Sequence, residues 1–342
     1  MQMPSVSFDT PSVSVVIAAF NAEESLVRAV ESALAQNVPV EVIIVDDASG
    51  DQTLELAFAL MRAHPQVRIL TSGANEGPSA ARNKGIVAAR GEWIAILDAD
   101  DAFAPERLRQ LMMLGERHDA DMVADNLCLY DWNADRVVGT ALPQQGEVVR
   151  HIHPVDFVRN AITGQSRFDF GQLKPMFRRR FMMARCLRYP PDLRHGEDFA
   201  LMFDCLLADA RFILTSEAYY LFTQRHGSIS AQASGQSRTH LNLHAMRDHS
   251  LALLDRPRVR GDRRLTALLN RRARAIGQQL SWSRAYPHLR ARQPLALMGA
   301  MMREWSNWPM LARHLFRRWQ NRGMMIRGVQ ADRSNLSNST LS

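Results

Sequence analysis

Nowhere in the chain do about 18 apolar residues follow one another, so no segment is expected to span a bilayer. Cysteine is scarce. The three present, Cys128, Cys186 and Cys205, lie far apart, show no metal-ligand spacing, and by their odd number argue against a disulfide framework. A reduced, cytoplasmic chain is the expectation. The first residues, MQMPSVSFDTPSVSVV, lack a basic n-region followed by an apolar h-region, so no signal peptide is expected. No G-x-G-x-x-G follows the first apolar run. AAFNAEES stands there instead, which removes a dinucleotide-binding reading. No zinc-finger or RRM signature occurs either, so nucleic acid is not an expected partner. Lysine is absent from residues 246–342, which nevertheless hold 19 arginines.

What is present is ordinary in bulk and uneven in distribution. A hydrophobic share of 46% over 342 residues supports a real core, in one large domain with an appendage or in two domains. The formal net charge of +7 conceals a split: residues 1–245 sum to −7 and residues 246–342 to +14. Such a tail suits an anionic partner: a membrane, a nucleic acid or the acidic part of the chain itself. The acidic part would also repel phosphate backbones.

Strand-like and helix-like patterns alternate from the start. PSVSVVIAAFN reads as a buried strand and a turn. AEESLVRAVESALAQN follows with Leu26, Val30, Ala33 and Leu34 at helical spacing. VEVIIVDDAS is an apolar run ending in Asp46 and Asp47. DQTLELAFALMRAHP is a helix with an Asp or Thr start. VRILTS, NEGPSAARNKGIVAAR and EWIAILDAD continue the alternation. The fold class is α/β, a doubly wound, mostly parallel sheet. In such sheets ligands bind beyond the carboxyl ends of the strands. Phe20–Asn21, Asp46–Asp47 and Asp98–Asp100 all fall at such ends.

The stretch AILDADDAF is chemically odd. Asp98, Asp100 and Asp101 repel one another and need a cation, hydrogen bonds or water to stay ionised. A divalent metal is the natural partner, with Asp101 read as a cap for the helix after FAPERLRQLMML. Further on, YPPDLRHGEDFALMFDCLLAD gives a turn and a helix opening at Glu197–Asp198, and RFILTSEAYYLFTQRHGSIS reads as two short strands and a loop. From about His240 the pattern is helical and basic, and ADRSNLSNSTLS at the end reads as disordered.

VSVVIAAFNAEESL, VEVIIVDDASGDQT, NEGPSAARNKGIVAARGEWIAILDADD and GEDF, in that order and spacing, resemble glycosyltransferase family 2 with the GT-A fold. LKPMFRRRF and RYPPDLRHGEDFALMFDCLLA look like its bacterial succinoglycan-type exopolysaccharide members. The resemblance implies a catalytic domain over residues 11–240, and the pattern beyond it gives a basic helical region over 241–330 and a disordered tail over 331–342. It implies inverting transfer from a nucleotide-sugar, usually a UDP-sugar, with UDP-glucose favoured by the narrower likeness. Asp98–Ala99–Asp100 is then the DxD motif. Asp100 would bind Mg²⁺ or Mn²⁺ bridging the donor phosphates. Asp98 would share in that site or hold the ribose or a metal-bound water. Asp198 would be the general base, with Glu197 as the fallback. Asp47 would read the uracil, Ala18 and Phe20 would meet base or ribose, and Asn75 and Arg82 would lie near the base. Arg225 or His226 would face the phosphates or the metal, or form a structural ion pair.

Plainer readings stand beside these. Asp46–Asp47 also fits a helix cap, Glu197–Asp198 an acid-favouring helix N-terminus, and Asn75 with Gly77 a simple turn. Met298, Met301, Trp305, Trp308, Leu315 and Trp319, interleaved with Arg303, Arg313, Arg317, Arg318 and Arg322, fit a helix in a membrane interface. They equally fit a helix packed on the catalytic domain. A polyprenyl-diphosphate-linked oligosaccharide, the usual acceptor in exopolysaccharide pathways, would place the protein at the inner face of the cytoplasmic membrane. The alternatives are another surface polysaccharide or lipopolysaccharide acceptor, or an inactive nucleotide-sugar-binding scaffold.

Overall fold

The computed structural model describes residues 11–143, 148–162, 168–224, 242–303 and 308–312. The chain divides into two compact units, Met1–Arg272 and Ala273–Ser342.

The first unit is built on one sheet. Strands β1 (Val13–Ala19), β2 (Val40–Asp46), β3 (Val67–Thr71) and β4 (Trp93–Asp98) are mutually parallel, in the order β3-β2-β1-β4. Helices α1 (Leu26–Leu34), α2 (Thr53–Ala63) and α3 (Pro78–Ala88) connect them. The near-continuous apolar runs of β1, β2 and β4 are buried along almost their whole length, as strands covered on both faces must be. Leu26, Val30 and Ala33 form the buried stripe of α1, as their spacing requires. Helix α3 lies so close to β1 that a Cβ on Gly85 would stand 2.3 Å from Val16. Only glycine permits that approach.

Beyond β4 the sheet mixes directions. Short β9 (Met176–Arg178) is antiparallel to both β4 and β6 (Met122–Asp131), and β6 is parallel to the long β10 (Phe212–Gln224). Two-residue β5 (Ala102–Phe103), β7 (Arg136–Thr140) and β8 (Val149–Ile152) add antiparallel edges. Parallel pairing still accounts for most of the paired residues. Helices α4 (Arg107–Arg117), α5 (Pro154–Asn160), α6 (Arg179–Ala184), α7 (Glu197–Leu207), α8 (Leu243–Ala252) and α9 (Pro257–Arg260) complete the unit, with 3₁₀ turns at Phe170–Gln172 and Leu253–Asp255.

One expectation is corrected here. The stretch read as two short strands is the single strand β10, irregular between Leu214 and Tyr220. Its polar Thr215-Ser216-Glu217 segment looks like a break. In the fold it is a bulge whose groups find partners: Glu217 N–H donates to Thr215 Oγ1 at 3.2 Å, and the Ser216 carbonyl accepts from Asn126 Nδ2 of β6 at 3.3 Å.

Helix α10 (Arg263–Arg290) carries the chain into the second unit, where α11 (Pro294–Arg303) follows. On α11, Met301 is buried while Leu295, Met298 and Met302 are exposed. Trp305, Leu315, Trp319, Arg313, Arg317, Arg318, Arg322 and the expected tail 331–342 lie outside the described residues. Among the described residues no helix is long and apolar enough to cross a membrane.

Candidate active site

Strand register gathers the expected residues at one rim. Ala18 pairs with Val45 and with Asp98, Ala19 with Asp46, and Asp46 with Thr71. The loops leaving β1 and β2 are laced together. Asn21 N–H donates to Ser49 Oγ at 3.1 Å, Gly50 N–H to Asn21 Oδ1 at 2.9 Å, and Ala22 N–H to Thr53 Oγ1 at 2.8 Å. Phe20 stands out from this frame with 49% of its surface exposed, a flat apolar face at the carboxyl edge of the sheet.

Asp47 is buried, and backbone amides occupy its carboxylate: Glu76 N–H at 3.1 Å and Gly77 N–H at 2.7 Å. Asn75 Nδ2 donates to the Asp47 carbonyl at 3.3 Å. Asp47 therefore does act as a cap, but for the loop that opens α3 rather than for α2. Helix α2 takes its start from Asp51, whose Oδ1 accepts from Thr53 N–H at 3.0 Å. Asp46 Oδ2 accepts from Ser49 N–H at 3.2 Å, and its Oδ1 is buried without a donor among the described residues.

Deeper in the rim lies an ion network. Arg82, buried on α3, donates through Nη2 to Asp98 Oδ1 at 2.7 Å and through Nη1 to Glu197 Oε1 at 2.9 Å, with Asp198 Oδ1 at 3.9 Å. Lys174 closes the ring. Its Nζ lies 2.9 Å from Asp98 Oδ2 and 2.7 Å from Asp198 Oδ2. Arg82 thus sits among the acids of β4 and α7.

Burial would push the Asp98 carboxyl up, but the Lys174 and Arg82 charges hold it well below the usual carboxylate range. Burial would push Lys174 down, yet Asp198 and Asp98 hold its ammonium above its ordinary value. Glu197 goes the other way: burial and the Asp198 charge raise it against the pull of Arg82 and Lys174. Asp98 is fixed as an anion, whereas the Glu197 carboxyl stands above its ordinary value.

Glu197 and Asp198 open α7 just after Gly196, whose φ of 78° suits glycine. The plain expectation of acids in a first helical turn holds. The same turn also aims both carboxylates into the network.

Asp101 corrects another expectation. It caps no helix, since the residue before α4 is Glu106 in a left-handed conformation. Asp101 is buried and tied to β10: Thr223 N–H donates to Oδ1 at 2.7 Å and Tyr220 Oη to Oδ2 at 2.8 Å. Tyr220 Oη also accepts from Asp98 N–H at 3.2 Å. Burial, then the charges of Asp100 and Asp98, raise the Asp101 carboxyl above its ordinary value. Asp101 is an anchor, and its anchoring leaves Asp98 and Asp100 at the rim.

Mg²⁺ and Mn²⁺ take hard oxygens, commonly one or two carboxylates with substrate phosphates. Asp98 spends both oxygens on Arg82 and Lys174. Half-buried Asp100 offers a donor of the right kind. No group of three or more His, Cys, Asp or Glu among the described residues could hold a metal by itself. The donor set fits a cation completed by a diphosphate and does not fit an all-protein cage.

Sequence reasoning missed Lys174, Tyr220 and the buried pair Arg107–Asp125 beneath them. One signal was present: Lys174 is one of only two lysines in the chain, and it stands in LKPMF. Arg225 and His226 lie outside the described residues.

The model of Glycosyl transferase family 2 matches residues 14–181. The succinoglycan biosynthesis protein ExoO of Rhizobium meliloti (strain 1021) is 38% identical over 221 residues, 64% of this chain and 63% of that protein. ExoU, also a succinoglycan biosynthesis protein of that strain, is 33% identical over 252 residues, 73% of this chain and 71% of that protein. The chain thus spans a little under two thirds of ExoO and somewhat more of ExoU. Among solved structures, S. aureus TarS 1-349 in complex with UDP-GlcNAc superposes with a TM-score of 0.59 at 21% identity, covering 85% of this chain and 79% of that one. Mannosyltransferase PcManGT from Pyrobaculum calidifontis, in complex with GDP-Man and Mn²⁺, gives 0.54 at 17% identity, covering 86% and 74%. At such identities the likeness is one of fold, the GT-A fold. Sequence and fold together place this chain in glycosyltransferase family 2.

Proposed function

We propose that this chain is an inverting, metal-dependent glycosyltransferase. It moves a sugar, glucose from UDP-glucose, onto a polyprenyl-diphosphate-linked oligosaccharide in exopolysaccharide assembly. One observation carries the reading. Asp98 and Asp198, from β4 and α7, meet at the same Lys174 Nζ, 2.9 and 2.7 Å away. A donor carboxylate and an acceptor carboxylate are thereby held across one small gap. The succinoglycan names of ExoO and ExoU support the pathway.

In this reading Asp198 Oδ1 takes the proton of the acceptor hydroxyl. The hydroxyl oxygen bonds to the sugar C1 as the bond from C1 to the diphosphate breaks on the opposite face. A general base is needed because a hydroxyl is a weak nucleophile near neutrality. Asp100, with Asp98 beside it, would hold Mg²⁺ or Mn²⁺, which when bound neutralises charge on the diphosphate. Phe20 and Ala18 offer the apolar face for base or ribose. Asp47 and Asn75 shape the loop beside them.

The tail supports a membrane-associated acceptor. Residues 246–342 carry +14 with no lysine, and Leu295, Met298 and Met302 are exposed on α11. Arginine and apolar side chains together suit the anionic inner face of the cytoplasmic membrane.

The test is transfer itself. Incubated with labelled UDP-glucose, Mn²⁺ and membranes bearing lipid-linked oligosaccharides, the protein is expected to move label into the solvent-extractable lipid. The α-linked donor should give a β-linked product. An α-linked product would rule out inversion, and unlabelled lipid with every surface-polysaccharide acceptor tried would leave only a nucleotide-binding scaffold.

A further inference from the structure

Lys174 is placed by parts of the fold that have no direct share in the chemistry. It stands two residues before β9, whose register pairs Met176 with Ala95 of β4 and with Val123 of β6. Continued two residues, that register sets Lys174 level with Leu97 and Asp125. The antiparallel insertion of β9 therefore delivers Lys174 to the carboxyl end of β4, where the parallel strands place their ligands.

Its backbone is held from below. Arg107 is wholly buried, and its Nη2 donates to the Lys174 carbonyl at 2.5 Å and to Asp125 Oδ1 at 2.7 Å. Arg107 also lies over the rings of Phe103 and Tyr220, 4.5 and 5.0 Å from their centroids. A fully buried ion pair costs desolvation and is a poor device for stability alone. Here it fixes the backbone beneath one ammonium and the ring of the tyrosine that tethers Asp98.

The side chain suits its position. An ammonium is a compact charge with rotatable donors, whereas a guanidinium is a planar fork. Arg82 spreads its fork over Asp98 and Glu197. Lys174 meets Asp98 and Asp198 from a single atom. The chain otherwise uses arginine nearly throughout, with two lysines among 42 basic residues.

We propose that Lys174 is a positioning residue for the transfer reaction: its ammonium joins the donor-side carboxylate Asp98 to Asp198 and holds Asp198 by Oδ2, so that Oδ1 faces the acceptor hydroxyl. This rests on the glycosyltransferase reading above, in which Asp198 is the base. The separation of Asp98 from Asp198 is then set by one nitrogen. Losing it would free Asp198 to rotate and to pair more closely with Arg82, whose Nη1 already lies 3.9 Å from Oδ1.

The test uses the full chain with Lys174→Gln, Lys174→Met and Lys174→Ala. Transfer kinetics, UDP-dependent thermal stabilisation and rescue by ethylamine are measured on each. The expected result is a kcat lower by about 100- to 1,000-fold, a loss of the size seen when one fixed donor is removed from an active site. Donor KM and UDP stabilisation should change little, and ethylamine should restore part of the activity of Lys174→Ala. Gln is the gentler replacement should Met unsettle the fold. Unchanged kcat in a folded variant would overturn the proposal. So would a loss confined to donor KM, or a loss in Lys174→Ala that no amine restores. Failure of the underlying reading looks different: the unaltered protein would transfer nothing, or Asp198→Asn would stay active.

Discussion

Replacing Asp198 by Asn is expected to lower transfer by about 10²- to 10⁴-fold while UDP-dependent stabilisation survives. Asn preserves the size of the side chain and removes its capacity to take a proton. The change lies on the acceptor side of the network, and Asp98 and Asp100 on the donor side keep their places. Lys174 would still meet an oxygen of the new amide, since the present contact is one ammonium to one oxygen at 2.7 Å. Steady-state transfer assays and thermal unfolding with UDP check the two halves. Full activity in Asp198→Asn would move the base to Glu197, whose carboxyl burial raises independently of the Asp198 charge.

Asp125→Ala should damage the fold rather than the chemistry. Arg107 and Asp125 are 0% and 1% exposed in their side chains, with Nη2 and Oδ1 2.7 Å apart. Asp125 Oδ2 also accepts from Tyr219 N–H at 2.9 Å. Removing the acid leaves a guanidinium buried without its anion, a loss of roughly 3–5 kcal/mol. Denaturant unfolding should show it as a lower midpoint. A double variant, Arg107→Met with Asp125→Leu, should recover much of that loss, because an apolar pair of similar volume removes the desolvation cost. It should not recover full transfer activity, because the Lys174 carbonyl would lose its donor. A single Asp125→Ala variant as stable as the parent would show that the pair holds nothing in place.

The parallel half of the fold was readable because its signals are local. Each of β1, β2 and β4 is a near-continuous apolar run, and α1 and α2 show their own apolar stripes. The acids at the strand ends follow from the same periodicity, and register confirms that Ala18, Asp46 and Asp98 share one rim. The other half depends on distant partners. Three-residue β9 is too short to announce itself, yet it inserts between β4 and β6 and carries Lys174 to Asp98. Asp101 looks like a third member of the acidic cluster until Tyr220 and Thr223, more than a hundred residues later, take its oxygens. In β10 the polar Thr215-Ser216-Glu217 segment imitates a loop because bulges and loops favour the same residues. Asp47 resembled a cap for the next helix, whereas chain geometry carries its carboxylate to the helix after that.

The reading of the site as a nucleotide-sugar pocket is tested most directly by thermal unfolding with UDP, GDP or NAD⁺, each with and without Mn²⁺. A ligand at about 100 times its Kd should add about 2.7 kcal/mol to stability. UDP with Mn²⁺ is expected to raise the midpoint clearly, UDP alone less, and NAD⁺ not at all. In Asp100→Ala the Mn²⁺-dependent part should vanish. A response to GDP in place of UDP would keep the enzyme class and change the donor. Stabilisation by NAD⁺, or by none of the three even with anionic lipid present, would contradict the reading.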